Sequence, residues 1–142
     1  MILYLDTSDL VKLYVAEDGS EKVKNFVSTA TVVSTSKVAY AEARAAFARK
    51  QKDDGFPLRI LRKIVADFNR DWENYFVIEI TDGLVQLAGN IAEKYLLRGG
   101  DSIHLASAVN LKNKIRSDVY FSSNDTKLNN AAEKEGICLR NS

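Results

Sequence analysis

Short apolar strand patterns alternate with amphipathic helical patterns along this chain, and no hairpin signal joins any two strands. Parallel neighbours need a crossover, the crossover is usually a helix, and strands covered by helices on both faces become short apolar runs. The strand patterns are ILYLD (2–6), TVVS (31–34), FVIEI (76–80), VYFSS (119–123) and ICL (137–139). Helical spacing starts at Ser8 with Leu10, Leu13 and Tyr14, and resumes after Gly19-Ser20 with Val23, Phe26 and Val27. An alanine-rich helix runs from Ser36 to about Lys52 and is ended by Asp54-Gly55-Phe56-Pro57; the next carries Leu58, Leu61, Ile64, Val65, Phe68 and Trp72 on one stripe. Asp82 is placed to cap a helix bearing Leu84, Leu87, Ala88, Ile91 and Tyr95, Gly99-Gly100 to break it, and Asp101 to open another; residues 125–135 form the last helix. The expected fold class is α/β, a three-layer α/β/α sandwich with a central parallel sheet, in a single domain spanning 1–142.

Several classes are excluded. No run approaches the roughly 20 apolar residues of a membrane span, and no export signal precedes the first strand, so a cytoplasmic location is expected. The single cysteine, Cys138, forms no disulfide framework or zinc cluster and reads as a small buried apolar residue. The balance of 20 Lys+Arg against 19 Asp+Glu argues against a bulk polyanion binder. Between Arg44 and Arg70, however, eight basic residues face three acidic ones, so positive charge concentrates in one segment that could follow a phosphate backbone or be a solvated helical face. Phe68, Trp72, Tyr75 and Phe76 read as a core stripe more than a stacking platform.

Four acids fall where solvent-facing carboxylates are not expected. Asp6 ends the first strand and Asp125 follows the fourth, where open parallel sheets gather ligands. Asp101 opens a helix reached from the same edge. Glu42 has Val38, Ala39, Ala45 and Ala46 as its helical neighbours, an apolar setting. Asp6, Asp101 and Asp125 could each be helix caps, but capping leaves Glu42 unexplained, whereas clustering accounts for all four. Clustered carboxylates repel one another unless a cation neutralises them, and Mg²⁺ or Mn²⁺ suits an all-oxygen donor set. The sole histidine, His104, cannot build a zinc site and reads as a core residue or a support to the acids.

The segments YLDTSDLVKLY (4–14), VAYAEARAAF (38–47), LRGGDSIHLASAV (97–109) and FSSNDTKLNNAAEKEGI (121–137) resemble, in order and spacing, the PIN domain family, and within it the VapC-type toxins of toxin–antitoxin pairs. The resemblance implies that Asp6, Glu42, Asp101 and Asp125 are the catalytic, metal-binding acids, with Asp6 and Asp101 as direct ligands. Glu42 and Asp125 would orient metal-bound water or hold a second ion. Thr7, Ser8 and Ser123 are matching hydroxyl positions, and Asp9 falls at a variable one. It implies Mg²⁺ (or Mn²⁺) dependence, hydrolysis of RNA phosphodiesters by metal-activated water, a VapB-type antitoxin as partner and a homodimer. Leu10, Leu13, Tyr14 and the helix at 36–52 are then possible antitoxin-groove residues. The alternatives are a PIN-domain nuclease of RNA maturation without an antitoxin, or a non-catalytic protein-binding module. A haloacid-dehalogenase-type phosphatase needs an Asp where Ser8 stands.

Overall fold

The computed structural model describes residues 1–141. Five parallel strands form one sheet: β1 (Ile2–Leu5), β2 (Val32–Ser36), β3 (Phe76–Ile78), β4 (Val119–Ser122) and β5 (Cys138–Leu139), in the order β3-β2-β1-β4-β5. The crossovers carry α1 (Thr7–Val11) and α2 (Ser20–Thr29), then α3 (Ala39–Asp54) and α4 (Leu58–Trp72), then α5 (Asp82–Tyr95) and α6 (Gly99–Ile115), then α7 (Thr126–Lys134).

Alternation along β1 builds both cores. Leu3 and Leu5 face a cluster with Leu10, Phe26, Phe47 and Phe68 from α1–α4, while Tyr4 faces one with Ile91, Leu105, Phe121 and Leu128 from α5, α6, β4 and α7. The sheet is therefore a middle layer between helices, as the sequence predicts. Among the described residues no helix is long and apolar enough to cross a membrane.

Several boundaries differ from expectation for identifiable reasons. β2 does not end at Ser34 but continues through Thr35 and Ser36, because the Ser34 hydroxyl donates to the Phe76 carbonyl (2.7 Å) and Thr35 to that of Leu5 (2.8 Å), making buried hydroxyls tolerable. β3 stops at Ile78, beyond which β2 offers no partner. Thr81, not Asp82, caps α5, accepting from the Leu84 amide at 3.2 Å. Gly99 and Gly100 do not break a helix; they lie in the first turn of α6, and α5 ends instead at Leu96 with φ +55°. Asp101 consequently lies within the first turn of α6 and is not its cap. Leu58 is exposed and Phe76 nearly half-exposed, so neither joins the core with its stripe, and Cys138 is only half-buried. Leu10 is fully buried and cannot line an open groove.

Candidate active site

In an all-parallel sheet every strand ends on one edge, and helices that follow strands start there. Asp6 comes directly after β1, Glu42 lies in the first turn of α3 after β2, and Asp125 caps α7 after β4. α6 leads back into β4, so its first turn, carrying Asp101, starts from the same edge.

Asp6 is 5% exposed. Its Oδ1 accepts from the Ser8 hydroxyl (2.8 Å) and the Asp9 amide (3.1 Å), and its Oδ2 from the Ser123 hydroxyl (2.8 Å). Asp6 thus caps α1 and presents a fully oriented carboxylate, so the capping and site readings are compatible. Burial pushes its pKa up and the Asp9 charge adds to this, while His104, Ser123 and Ser8 offset part of it.

Glu42 behaves in the opposite way. Its Oε1 accepts from the Thr7 hydroxyl (2.6 Å) and from His104 Nε2 (3.0 Å), and the His104 bond is the main cause holding its pKa below the usual carboxylate range, against burial. Oε2 has no hydrogen-bond donor among the described residues and faces Gly100, where a Cβ would sit 3.2 Å away. Gly100 is therefore room for this carboxylate, which explains a glycine at that position of a helical turn, whereas a side chain at Gly99 would meet open space.

His104 is buried beneath this layer. Its Nδ1 shares a hydrogen bond with the Tyr4 hydroxyl (2.8 Å), and its Nε2 donates to Glu42 Oε1 (3.0 Å) and lies 2.9 Å from the Thr7 hydroxyl. Burial raises the Tyr4 pKa well above the ordinary phenol value, so Tyr4 stays a donor. Tyr4→Phe leaves Nδ1 buried without a partner and is expected to cost about 1–3 kcal/mol in denaturant unfolding. A variant as stable as the wild type would show that this bond does not support the site.

Asp101 is about a quarter exposed, with Arg98 Nε 3.9 Å from its Oδ2. Burial raises its pKa, the Asp125 and Glu42 charges add to this, and Arg98 and His104 counter it. Asp125 Oδ1 accepts from the Leu128 amide (3.0 Å), and its own amide donates to the Ser123 hydroxyl (3.0 Å), the same hydroxyl that donates to Asp6.

Glu42, Asp101, Thr7 and Ser8 line one cleft of about 740 Å³. Asp6 lies behind Ser8, and Ser123 links Asp6 to Asp125. The four acids are therefore joined through hydroxyls and mutual electrostatics. Among the described residues, no three carboxylate, imidazole or thiol side chains gather closely enough to cage a metal by themselves. Mg²⁺ is ordinarily held by one or two carboxylates plus waters and substrate phosphates, so an all-oxygen, partly open donor set with carboxylates of raised pKa fits such an ion.

Two features escape a reading of the sequence. Asp9, assigned to a variable position, is 5% exposed; its Oδ1 pairs with Lys12 Nζ at 3.0 Å and its Oδ2 accepts from the Ser122 hydroxyl at 2.6 Å. A lysine inside the apolar run LVKLY, three residues after an acid, is the signal that could have revealed this pair. The basic segment also disperses: Lys63 and Arg70 pair with Asp67, and Arg44 donates to Tyr40, whereas Arg49 and Lys50 line the cleft.

Residues 3–134 match the PIN domain family, and the chain belongs to it. Members of that family are metal-dependent nucleases. The chain is 34% identical over 112 residues to ribonuclease VapC45 and equally to ribonuclease VapC49, both of Mycobacterium tuberculosis, covering 76% of this chain and 75% of each relative. Its fold is shared with the Mycobacterium tuberculosis sarcin–ricin loop cleaving toxin VapC20 (TM-score 0.65, 17% identity, 91% of this chain and 94% of that one). It is also shared with a chain of a toxin–antitoxin complex from Klebsiella pneumoniae (TM-score 0.60, 15% identity, 89% and 88%).

Proposed function

We propose that this protein is a metal-dependent endoribonuclease of the VapC type, the toxin of a toxin–antitoxin pair, acting as a single PIN-like domain (1–142) through Asp6, Glu42, Asp101 and Asp125. The observation that carries this reading is the cleft at the carboxyl edge of the sheet, where Glu42 and Asp101 stand open above a buried, doubly oriented Asp6. Mg²⁺ or Mn²⁺ bound there, held by Asp6 and Asp101, would lower the pKa of an attacking water and stabilise charge on the phosphoryl and leaving 3′-oxygens. The chain's own residues supply position. Ser8 and Ser123 fix both oxygens of Asp6, and Thr7 and His104 hold Glu42 Oε1 so that Oε2 can accept a hydrogen from water in the cleft. Asp125, fixed by its cap and by Ser123, would orient metal-bound water or hold a second ion. The same reading carries an RNA substrate, a VapB-type antitoxin, a homodimeric state and a cytoplasmic location.

Expression in a bacterial host is expected to arrest growth, and Glu42→Ala to abolish the arrest while remaining soluble and folded. Persistent arrest by soluble Glu42→Ala would point to sequestration of a target by binding. Relief of the wild-type arrest by a short neighbouring gene would separate the toxin from an RNA-maturation nuclease.

A further inference from the structure

The cleft is chemically graded along α3. Glu42, Ala46, Arg49 and Lys50 follow one another at helical spacing on the same stripe, and all four line it. Val11 at the end of α1 and Val15 just after it also line the cleft. With a rise of 1.5 Å per residue, Arg49 stands about 10 Å along the helix from Glu42. Along α3 the stripe thus runs from the Glu42 carboxylate through Ala46 to the cations Arg49 and Lys50; Val11 and Val15 add to the apolar floor, and Glu17 and Arg98 also line the cleft, Arg98 beside Asp101. Arg49 makes no ion pair or side-chain hydrogen bond among the described residues; Lys50 meets Asp54 at 3.4 Å, an exposed pair that water and salt readily exchange. Lys12 also borders the cleft, but its ammonium is held by Asp9 and the Ser8 carbonyl (3.3 Å).

We propose that this graded wall is a binding subsite for the nucleotide next to the scissile phosphate of an unpaired RNA strand: its ribose and base lie on Val11, Val15 and Ala46, and Arg49 and Lys50 hold the following phosphate. The proposal rests on the ribonuclease reading and adds where the substrate's flanking backbone lies. An unpaired strand suits it because bases must leave the stack to reach an apolar floor, which a duplex does not permit. A phosphate bound to two cations beyond that floor fixes the register of the chain over the acids.

The test is binding of a fluorescent, unpaired 12-nucleotide RNA by the full chain in EDTA, followed by anisotropy from 50 to 200 mM salt. Arg49→Gln/Lys50→Gln is expected to bind about tenfold more weakly, with the slope of log K against log salt shallower by about 0.7, the value for one lost single-strand phosphate contact. Arg59→Gln/Arg62→Gln removes the same charge from exposed positions on α4 away from the cleft, and is expected to match the wild type. Equal weakening by both double variants, or an unchanged slope in the first, would overturn the subsite. Failure of the wild type to cleave the same RNA with Mg²⁺ or Mn²⁺ would instead count against the ribonuclease reading, leaving the binding result to be judged separately.

Discussion

Asp6→Asn is expected to lower RNA cleavage by about a hundredfold or more, the cost of removing one charge-stabilising group at a reacting centre, while the protein stays folded. Asparagine is as good a helix cap as aspartate, so the Asp9 amide keeps its acceptor and α1 its start. The Ser8 and Ser123 hydroxyls can also still donate to the amide oxygen or accept from its nitrogen. What is lost is the negative charge, and with it the capacity to hold a divalent cation. His104→Gln provides the contrast. His104 touches Glu42 and Thr7 from below and acts by positioning them, so its loss is expected to cost about tenfold, the lower end for a supporting partner at such a site. Rates measured side by side on one RNA check both; a larger loss for His104→Gln than for Asp6→Asn would reverse their roles.

The second large effect is on stability. Millimolar Mg²⁺ or Mn²⁺ is expected to bind only the folded arrangement of these acids, and at a hundred times its Kd would add about 2.7 kcal/mol, or about 5–10 °C of Tm for a chain of this size. Asp101→Asn is expected to shrink that shift and to raise the metal-free Tm. The sign follows from the carboxyl group's raised folded-state pKa: the folded protein holds this proton more tightly than the unfolded chain. Asp101 therefore costs nothing below the ordinary aspartate pKa, costs progressively more as pH rises through its raised folded value, and costs fully above it. The advantage of Asp101→Asn should be greatest at neutral pH and fade towards pH 4. Glu42, whose pKa is lowered, contributes in the opposite sense: its stabilisation is present at neutral pH and is lost as pH falls through its folded value. Thermal melts of wild type, Asp101→Asn and Glu42→Gln across pH 4–8, with and without metal, resolve the two. An Asp101→Asn variant whose metal response equals the wild type would remove Asp101 from the site.

The architecture was legible because its signals are local and repeated. Short apolar runs and period-3.6 patterns alternate, and acids at strand ends point to the carboxyl edge before any contact is known. Most of the misplacements have a different cause, a partner distant in sequence, although the α5 cap at Thr81 in place of Asp82 is a local one. Ser34 and Thr35 extend β2 only because the Phe76 and Leu5 carbonyls accept their hydroxyls. Gly100 reads as a helix breaker until Glu42, 58 positions earlier, is found against it. The Asp9–Lys12 pair is local in sequence, but its burial depends on Ser122 from β4. Likewise the eight cations between Arg44 and Arg70 look like one patch in sequence, and the turn between α3 and α4 divides them, leaving Arg49 and Lys50 at the cleft.

The ends left on cleaved RNA test the central claim most directly. Purified protein should cut an unpaired RNA in Mg²⁺ or Mn²⁺ to give 5′-phosphate and 3′-hydroxyl ends, with cutting abolished by EDTA and restored by added metal. His104 is the chain's only imidazole, so metal-free attack by the 2′-hydroxyl assisted by a histidine base would have to use it, and would leave a cyclic phosphate. Cleavage that survives EDTA, yields cyclic-phosphate ends and disappears in His104→Ala would contradict a metal-dependent site built on Asp6, Glu42, Asp101 and Asp125.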